Sequence, residues 1–369
     1  MQYNKKIFFF SKDLRIGGME KALVSLLNEL AKKNYDITLV LENRNGALLG
    51  ALSSKITVKE YRISYCKITI IRKILNLSHR LLWSLFNHNK YCFSCNFATY
   101  SVIGSKLANI ASKNTVLYVH SNYSGFFNGD KTKTEEFFRS VDIERFKNTL
   151  FVSNDSLNAA KEVFPQISDR FAVVNNLVDS KEIIEKSLLE PEEKFNDSKI
   201  NLLFVGRLDD TSKNFKLLIE GFKVAYDKNQ NIMLYIIGDG PDKSMIENEI
   251  SKYSLDSVIL LGEKVNPYPY IKMCDSLIIT SRYEGYPIVY TEALVLNKPF
   301  ITTVAVSDDY INISKYFTVT EPHPQCIAKE ILKVSKSKIN YNIDFNYANN
   351  VRISKIEDII NKRSNNNEN

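Results

Sequence analysis

Between Leu277 and Ala293 the chain passes from three consecutive aliphatic residues, Leu277-Ile278-Ile279, through the loop Ser281-Arg282-Tyr283-Glu284-Gly285-Tyr286, into a helix-forming run after Pro287. A short, uninterrupted apolar run reads as a strand covered on both faces, and such strands occur in parallel sheets linked by helical crossovers. This passage therefore predicts an α/β architecture. It also locates chemistry. Glu284, Gly285 and Tyr286 fall at the carboxyl end of a strand, where open α/β sheets bind their ligands. Gly285 allows a backbone to approach a ligand closely, and Pro287 suits a first helical turn. The free N–H groups of Ile288 and Val289 favour an anion. Glu292, about a turn and a half further on, is within reach of hydroxyls on the same ligand. Two acids eight positions apart recur by chance; here the strand, the loop glycine and the proline agree with them. An anion site beside two hydroxyl acceptors fits a sugar joined to phosphate.

The same strand-loop-helix order recurs along the chain. Lys6 to Phe10 is predicted as a strand, followed by Gly17-Gly18 and the stripe Leu23, Leu26, Leu27, Leu30, Ala31 of an amphipathic helix, with a strand at Ile37 to Leu41. The glycine loop is a candidate phosphate cradle, but G-x-G-x-x-G is absent, which disfavours a dehydrogenase. Strands are expected at 92–97, 116–119, 150–152 and 172–174, with a helix over 101–111. His120 ends the third of the first-half strands after the glycine loop, where an imidazole can bond a sugar hydroxyl or carry a proton. The boundary is placed near 180. Beyond it, Leu202 to Val205 leads into Gly206-Arg207-Leu208 and a helix with Phe215, Leu218, Phe222 and Ala225 on one face. Arg207 and Lys213 offer a guanidinium and an ammonium suited to phosphate oxygens; the alternative is a surface ion pair with Asp209 or Asp210. Strands at 233–237, 258–261 and 300–303 follow, with a short helix at 270–274. Gly238-Asp239-Gly240-Pro241 reads mainly as architecture. Residues 345–363 are predicted helical, and 364–369 polar and disordered.

A chain of 369 residues is long for one domain. We therefore expect two, 1–180 and 181–344. No run of about 18 uncharged apolar residues is present, so no spanning helix is expected, and the short apolar start followed by Asp13 and Arg15 does not read as a signal peptide. A cytoplasmic location is the expectation. Five cysteines, widely spread, do not form a disulfide framework. Cys92-Phe93-Ser94-Cys95, with His88 nearby, lacks a further ligand for zinc and is expected to supply buried strand cysteines. Charge is uneven: residues 1–190 hold 27 Lys/Arg against 18 Asp/Glu, the remainder 22 against 24. Residues 55–90 alone hold eight basic residues and one acid among many aliphatic ones. A basic, aromatic-tipped segment of this kind reads as a membrane-surface helix with Lys67, Arg72, Lys73, Arg80 and Trp83 at the interface. The alternative is an internal helix with solvated charges. Nucleic acid is disfavoured because no recognised module accompanies the patch.

Glu284 to Glu292, Gly17-Gly18-Met19-Glu20 and Gly206-Arg207-Leu208 with Lys213 closely resemble the E-x7-E, GGxE and GRL…K motifs of the retaining, GT4-type glycosyltransferases of the GT-B fold, typified by bacterial polysaccharide and mannosyl transferases. Asn175 to Asp179 resembles that family's turn into the interdomain linker. The resemblance covers most of residues 5–300. It implies two Rossmann-like domains facing across a central cleft, with the last helix crossing back to the first. It implies transfer of a sugar, with retention, from a nucleotide-diphosphate donor such as a UDP-sugar to a hydroxyl of a growing lipid-linked or cell-surface polysaccharide. By the family pattern Arg207 and Lys213 hold the diphosphate, Glu284 a sugar hydroxyl and Glu292 the ribose. The base rests near Val265, and His120 and the Gly17-Gly18 loop reach in from the first domain. No cofactor or metal is expected, and the anionic inner face of the cell membrane is the expected partner surface. Two departures stand out: Lys213 comes six residues after Arg207 rather than five, and Val304 to Asp308 lacks the family's glycine loop. The rival readings are a nucleotide-sugar epimerase or phosphorylase of the same fold, and a non-catalytic subunit that binds a partner glycosyltransferase.

Overall fold

A computed structural model describes residues 5–305, 307–308, 311–336 and 339–362. The tail expected at 364–369 lies outside the described residues. The chain divides into two compact units, Met1–Leu177 with Asn349–Asn369, and Val178–Ala348.

The first unit is built on seven strands: β1 Lys6–Ser11, β2 Asp36–Leu41, β3 Thr57–Glu60, β4 Phe93–Asn96, β5 Thr115–Val119, β6 Asn148–Phe151 and β7 Phe171–Val173. They form one sheet in the order β3-β2-β1-β4-β5-β6-β7, with every pair parallel. The aliphatic and aromatic runs of the sequence become its buried interior; Phe8, Phe10, Leu117, Val119 and Phe151 belong to one core cluster. Helix α1 (Gly18–Lys32) lays its leucine stripe, Leu23, Leu26, Leu27 and Leu30, against the sheet, all buried. Each such side chain contributes about 1.5–3 kcal/mol on burial. The last helix, Phe345–Asn361, is fastened within this unit from Asn349 onward: Asn114 Nδ2 donates to the Ile359 carbonyl at 2.8 Å, and Lys33 and Tyr35 both reach Glu357.

Two expectations in this unit need correction. The basic stretch 55–90 is not one helix: Thr57–Glu60 is an edge strand, and only Thr69–Asn87, helix α2, is helical. An edge strand shields little apolar surface, so β3 carries no apolar run to read. Cys95 is buried as expected, and burial pushes its thiol well above the usual range, but Cys92 is exposed. Its thiol donates to the Lys6 carbonyl at 3.2 Å.

The second unit carries six strands: β8 Ile200–Val205, β9 Ile232–Ile237, β10 Val258–Gly262, β11 Ser276–Ile279, β12 Phe300–Thr302 and β13 Phe317–Val319. Their order is β10-β9-β8-β11-β12-β13, again all parallel. This is the doubly wound order of a Rossmann sheet, with β8 and β11 at the point where the winding reverses. Two glycines lock the loops beside that point. Gly238 sits at φ +148°, and a Cβ there would lie 1.9 Å from the Gly206 carbonyl oxygen; one on Gly240 would lie 2.3 Å from that of Leu208.

Gly238→Ala is therefore expected to impose both a disfavoured φ and a backbone clash. A loss of about 2–4 kcal/mol should appear in thermal melts as a drop of several degrees, with the helical signal at low temperature retained.

Candidate active site

The loops following β8 and β11 are stitched together before any side chain is considered for chemistry. Arg282 N–H donates to the Ser212 carbonyl at 2.8 Å. Thr280 Oγ1 donates to the carbonyls of Lys213 and Asn214 at 3.0 and 3.2 Å. Asn214, at φ 56°, takes the left-handed conformation between the short helix Asp210–Lys213 and the long helix Phe215–Tyr226. Asparagine tolerates that region better than most residues. The turn places Lys213 so that its Nζ meets Glu284 Oε1 at 2.6 Å. Glu284 Oε1 also accepts from Ser281 Oγ at 2.5 Å. Both side chains are largely sheltered, 22% exposed for Lys213 and 11% for Glu284. The sixth-residue lysine thus reaches the first glutamate of the E-x7-E passage.

Arg207 lies in the same loop, exposed, and forms no ion pair with either aspartate proposed as its alternative partner. Asp209 instead caps Thr211, and Asp210 faces Arg282 at 3.7 Å. Gly285 and Tyr286 are buried. The Tyr286 hydroxyl donates to Asp308, and Asp308 also accepts from Ile311 N–H at 2.9 Å. The stretch without a glycine loop is thus tied to the centre of the unit by a tyrosine-aspartate contact. The helix Ile288–Val295 starts behind Pro287, with Ile288 and Val289 half-buried in its first turn. Its Glu292 is buried, 2% exposed, and accepts from the Tyr268 hydroxyl at 3.1 Å. Burial, then the neighbouring Glu292 carboxylate, pushes the Tyr268 phenol far above its ordinary range. Val265 stands on the surface at 69% exposure.

In the first unit, Gly17 caps helix α1 and Gly18 begins it. A Cβ on Gly17 would fall 2.2 Å from the Glu20 carboxylate, and burial raises the Glu20 pKa. His120 follows β5 between two aromatic rings, Phe97 at 4.1 Å and Tyr118 at 4.6 Å between centroids. Both its ring nitrogens are enclosed and without a hydrogen-bond partner, as is the Asn176 Oδ1. Burial lowers the imidazole from 6.5 to about 3, with the Asn176 side chain pulling the other way. The imidazole is therefore neutral at physiological pH.

The structure brings Lys213, Glu284 and Gly285 together with Arg207 and the start of helix Ile288–Val295 in one loop cluster of the second unit. His120 and Gly17-Gly18 belong to the first. Sequence reasoning missed Tyr268, Ser281, Thr280 and Asn176. Only Ser281 had a local signal, being three residues before Glu284. Trp83, expected at a membrane surface, turns inward instead, its ring 5.7 Å from Phe8 and 6.4 Å from Tyr61.

Comparison with known proteins bears on this cluster. Residues 185–351 match the glycosyl transferases group 1 family. That segment contains Arg207, Lys213 and both glutamates. Over 180 residues the chain is 32% identical to an uncharacterized glycosyltransferase of Methanocaldococcus jannaschii, covering 43% of this chain and 44% of that one. The chain thus spans less than half the length of that relative. Over 319 residues it is 24% identical to the N-acetylgalactosamine-N,N'-diacetylbacillosaminyl-diphospho-undecaprenol 4-alpha-N-acetylgalactosaminyltransferase of Campylobacter jejuni, covering 81% of this chain and 80% of that one. Among solved structures, Anabaena HepE in complex with UDP and glucose superposes with a TM-score of 0.74 at 16% identity, over 98% of this chain and all of that one. The family likeness covers residues 185–351, and the solved structures give the chain the GT-B fold.

A stability consequence follows for His120. Its folded pKa lies below the unfolded value, so the unfolded chain binds the proton first as pH falls. Stability from this group is whole above about pH 6.5 and is lost progressively toward pH 3. The slope approaches about 1.4 kcal/mol per pH unit. Denaturant titrations at neutral and mildly acidic pH should show that slope in the wild type and a flatter one in His120→Phe.

Proposed function

We propose that the protein is a retaining glycosyltransferase that moves a sugar from a nucleotide-diphosphate donor to a hydroxyl of a growing lipid-linked or cell-surface polysaccharide, working at the membrane surface. The observation that carries the reading is the Lys213–Glu284 contact, held at the winding reversal of the second sheet with Arg207 unpaired beside it. Strand ends at such a reversal are where α/β sheets take ligands. A sheltered lysine and a free guanidinium next to a helix start supply positive charge for a diphosphate. Glu284, already an acceptor, can exchange a protein donor for a sugar hydroxyl.

In this reading Arg207 and Lys213 hold the diphosphate and offset the charge that grows on it as the sugar leaves, without recourse to a metal. The first-turn amides of Ile288 and Val289 add to the anion site, and the Gly285 backbone lets the donor approach. Glu292, paired with Tyr268, receives the ribose hydroxyls, and Val265 lies by the base. His120, neutral and with the Asn176 side chain beside it, is the first unit's candidate for bonding a sugar hydroxyl. Support for a nucleotide-sugar comes from the UDP and glucose bound to Anabaena HepE, and for a lipid-linked acceptor from the name of the Campylobacter relative. A covalent glycosyl-enzyme is not required, unlike in a retaining hydrolase, where a carboxylate attacks the sugar.

The test is a thermal-shift panel of UDP, GDP, ADP, CMP and their common sugar conjugates. A ligand at about 100 times its dissociation constant stabilises by roughly 2.7 kcal/mol. One nucleotide is expected to raise the melting temperature, and Arg207→Ala to weaken its binding about tenfold or more. Absence of any shift would overturn the donor assignment. With the donor known, Glu284→Gln is expected to lower kcat by roughly 100-fold while the nucleotide still binds. Product formation should persist in a chelator, and a product of inverted anomeric configuration would refute retention.

A further inference from the structure

Helix α2 has its two faces the wrong way round for a helix lying on a water-exposed surface. Ile70, Ile74, Leu81, Leu82, Leu85 and Phe86 point away from the unit, each between 56% and 79% exposed. The opposite side carries Arg72, Lys73, Asn76 and Arg80, which line a cavity of about 370 Å³ together with Tyr61, several aliphatic side chains and, from helix α3 (Val102–Ala111), Lys106. A soluble helix normally buries its apolar stripe and hydrates its charges. Here the helix is held to the unit by other means. Trp83 inserts toward Phe8 and Tyr61, and the Asn76 side chain exchanges hydrogen bonds with the backbone of Ser64, accepting from its N–H at 2.7 Å.

Among the described residues, Arg72, Lys73, Arg80 and Lys106 have no carboxylate partner. The chain contains no Asp or Glu from Tyr61 to Gly129. The acid just before that span, Glu60, is engaged by Arg62 at 3.1 Å. Four like charges around one cavity, Arg72 and Lys73 exposed and Arg80 and Lys106 half-buried, favour an anion among them. A continuous exposed apolar face is likewise unusual unless something covers it. A bilayer leaflet meets both demands at once: acyl chains cover the apolar face, and headgroup phosphates sit at the depth of the cations.

We propose that α2 lies in the surface of an anionic phospholipid leaflet and that the cavity between α2 and α3 binds the phosphate of one lipid headgroup, held by Arg72, Lys73, Arg80 and Lys106. Asn76, committed to Ser64, frames the site rather than contacting the phosphate. The inference rests on the membrane location given under Proposed function and makes it specific. It does not depend on the donor site, so a failed nucleotide assay leaves it standing.

The experiment is cosedimentation of the full-length protein with phosphatidylglycerol-rich vesicles and with pure phosphatidylcholine vesicles, at low and high salt. Binding is expected to the first, much less to the second. Each cation at an anionic leaflet contributes about fivefold in affinity. Arg72→Gln/Arg80→Gln/Lys106→Gln should therefore lose roughly 100-fold, whereas Lys55→Gln/Lys59→Gln/Lys90→Gln, equal in charge but outside the cavity, should lose no more than about fivefold. The charge-keeping Arg72→Lys/Arg80→Lys variant should stay close to wild type, and melting curves identify any variant that fails to fold; Lys106→Gln alone then carries the test from the other helix. Ile74→Ser/Leu85→Ser should release the protein from vesicles while leaving the cavity intact. Equal losses in the two Gln triples would overturn the cavity site in favour of diffuse charge. Wild-type protein that ignores anionic vesicles would overturn the whole proposal, whether it dimerises through α2 or is stabilised by inorganic phosphate in solution.

Discussion

Everything proposed for the second unit depends on the reversal of winding between β8 and β11. Up to that point successive crossovers run to one side of the sheet, and after it to the other. The two loops that leave these neighbouring strands therefore diverge and open a crevice between their ends. The sequence fills this crevice with a lysine from one loop and a glutamate from the other, bridged at 2.6 Å, and sews the loop backbones together through Thr280 and Arg282. Exposed ion pairs contribute little; this one is sheltered and hydrogen-bonded, so removing one member leaves a poorly hydrated charge behind. The geometry that suits a ligand is held by the same contacts that hold the loops.

The first unit solves a different problem. His120 is surrounded by aromatic rings, with both nitrogens enclosed and no protein partner. Burying imidazole without hydrogen bonds is costly, and a fold optimised for stability alone would place an aliphatic residue there. His120 is instead kept neutral and oriented by ring contacts, at a stability cost that the rest of the unit offsets.

Much of this was legible in the sequence because parallel strands covered on both faces must be continuously apolar. Leu202 to Val205, Met233 to Ile237 and Leu277 to Ile279 all announced themselves that way, and the loops after them followed. The edge strands Thr57–Glu60 and Phe317–Val319 were not legible, since their residues are largely exposed or half-exposed and so lack an apolar signature. Site residues showed the same divide. Lys213 and Glu284 could be named from local pattern, but Tyr268, 24 residues before its partner Glu292, meets it only through tertiary structure. Trp83 was misread for a related reason: composition marked α2 as amphipathic, but which face turned inward depended on Phe8 and Tyr61, distant in sequence.

The connectivity of the two units has a consequence for how the chain comes off the ribosome. Val178–Ala348 is inserted within the first unit, whose closing segment begins only at Asn349. Lys33, Tyr35 and Asn114 are synthesised long before the Glu357 and Ile359 groups that they bind. Domains usually fold in the order they emerge. Here the inserted unit is complete while the earlier one still lacks its final helix, so the unit begun first is the one finished last.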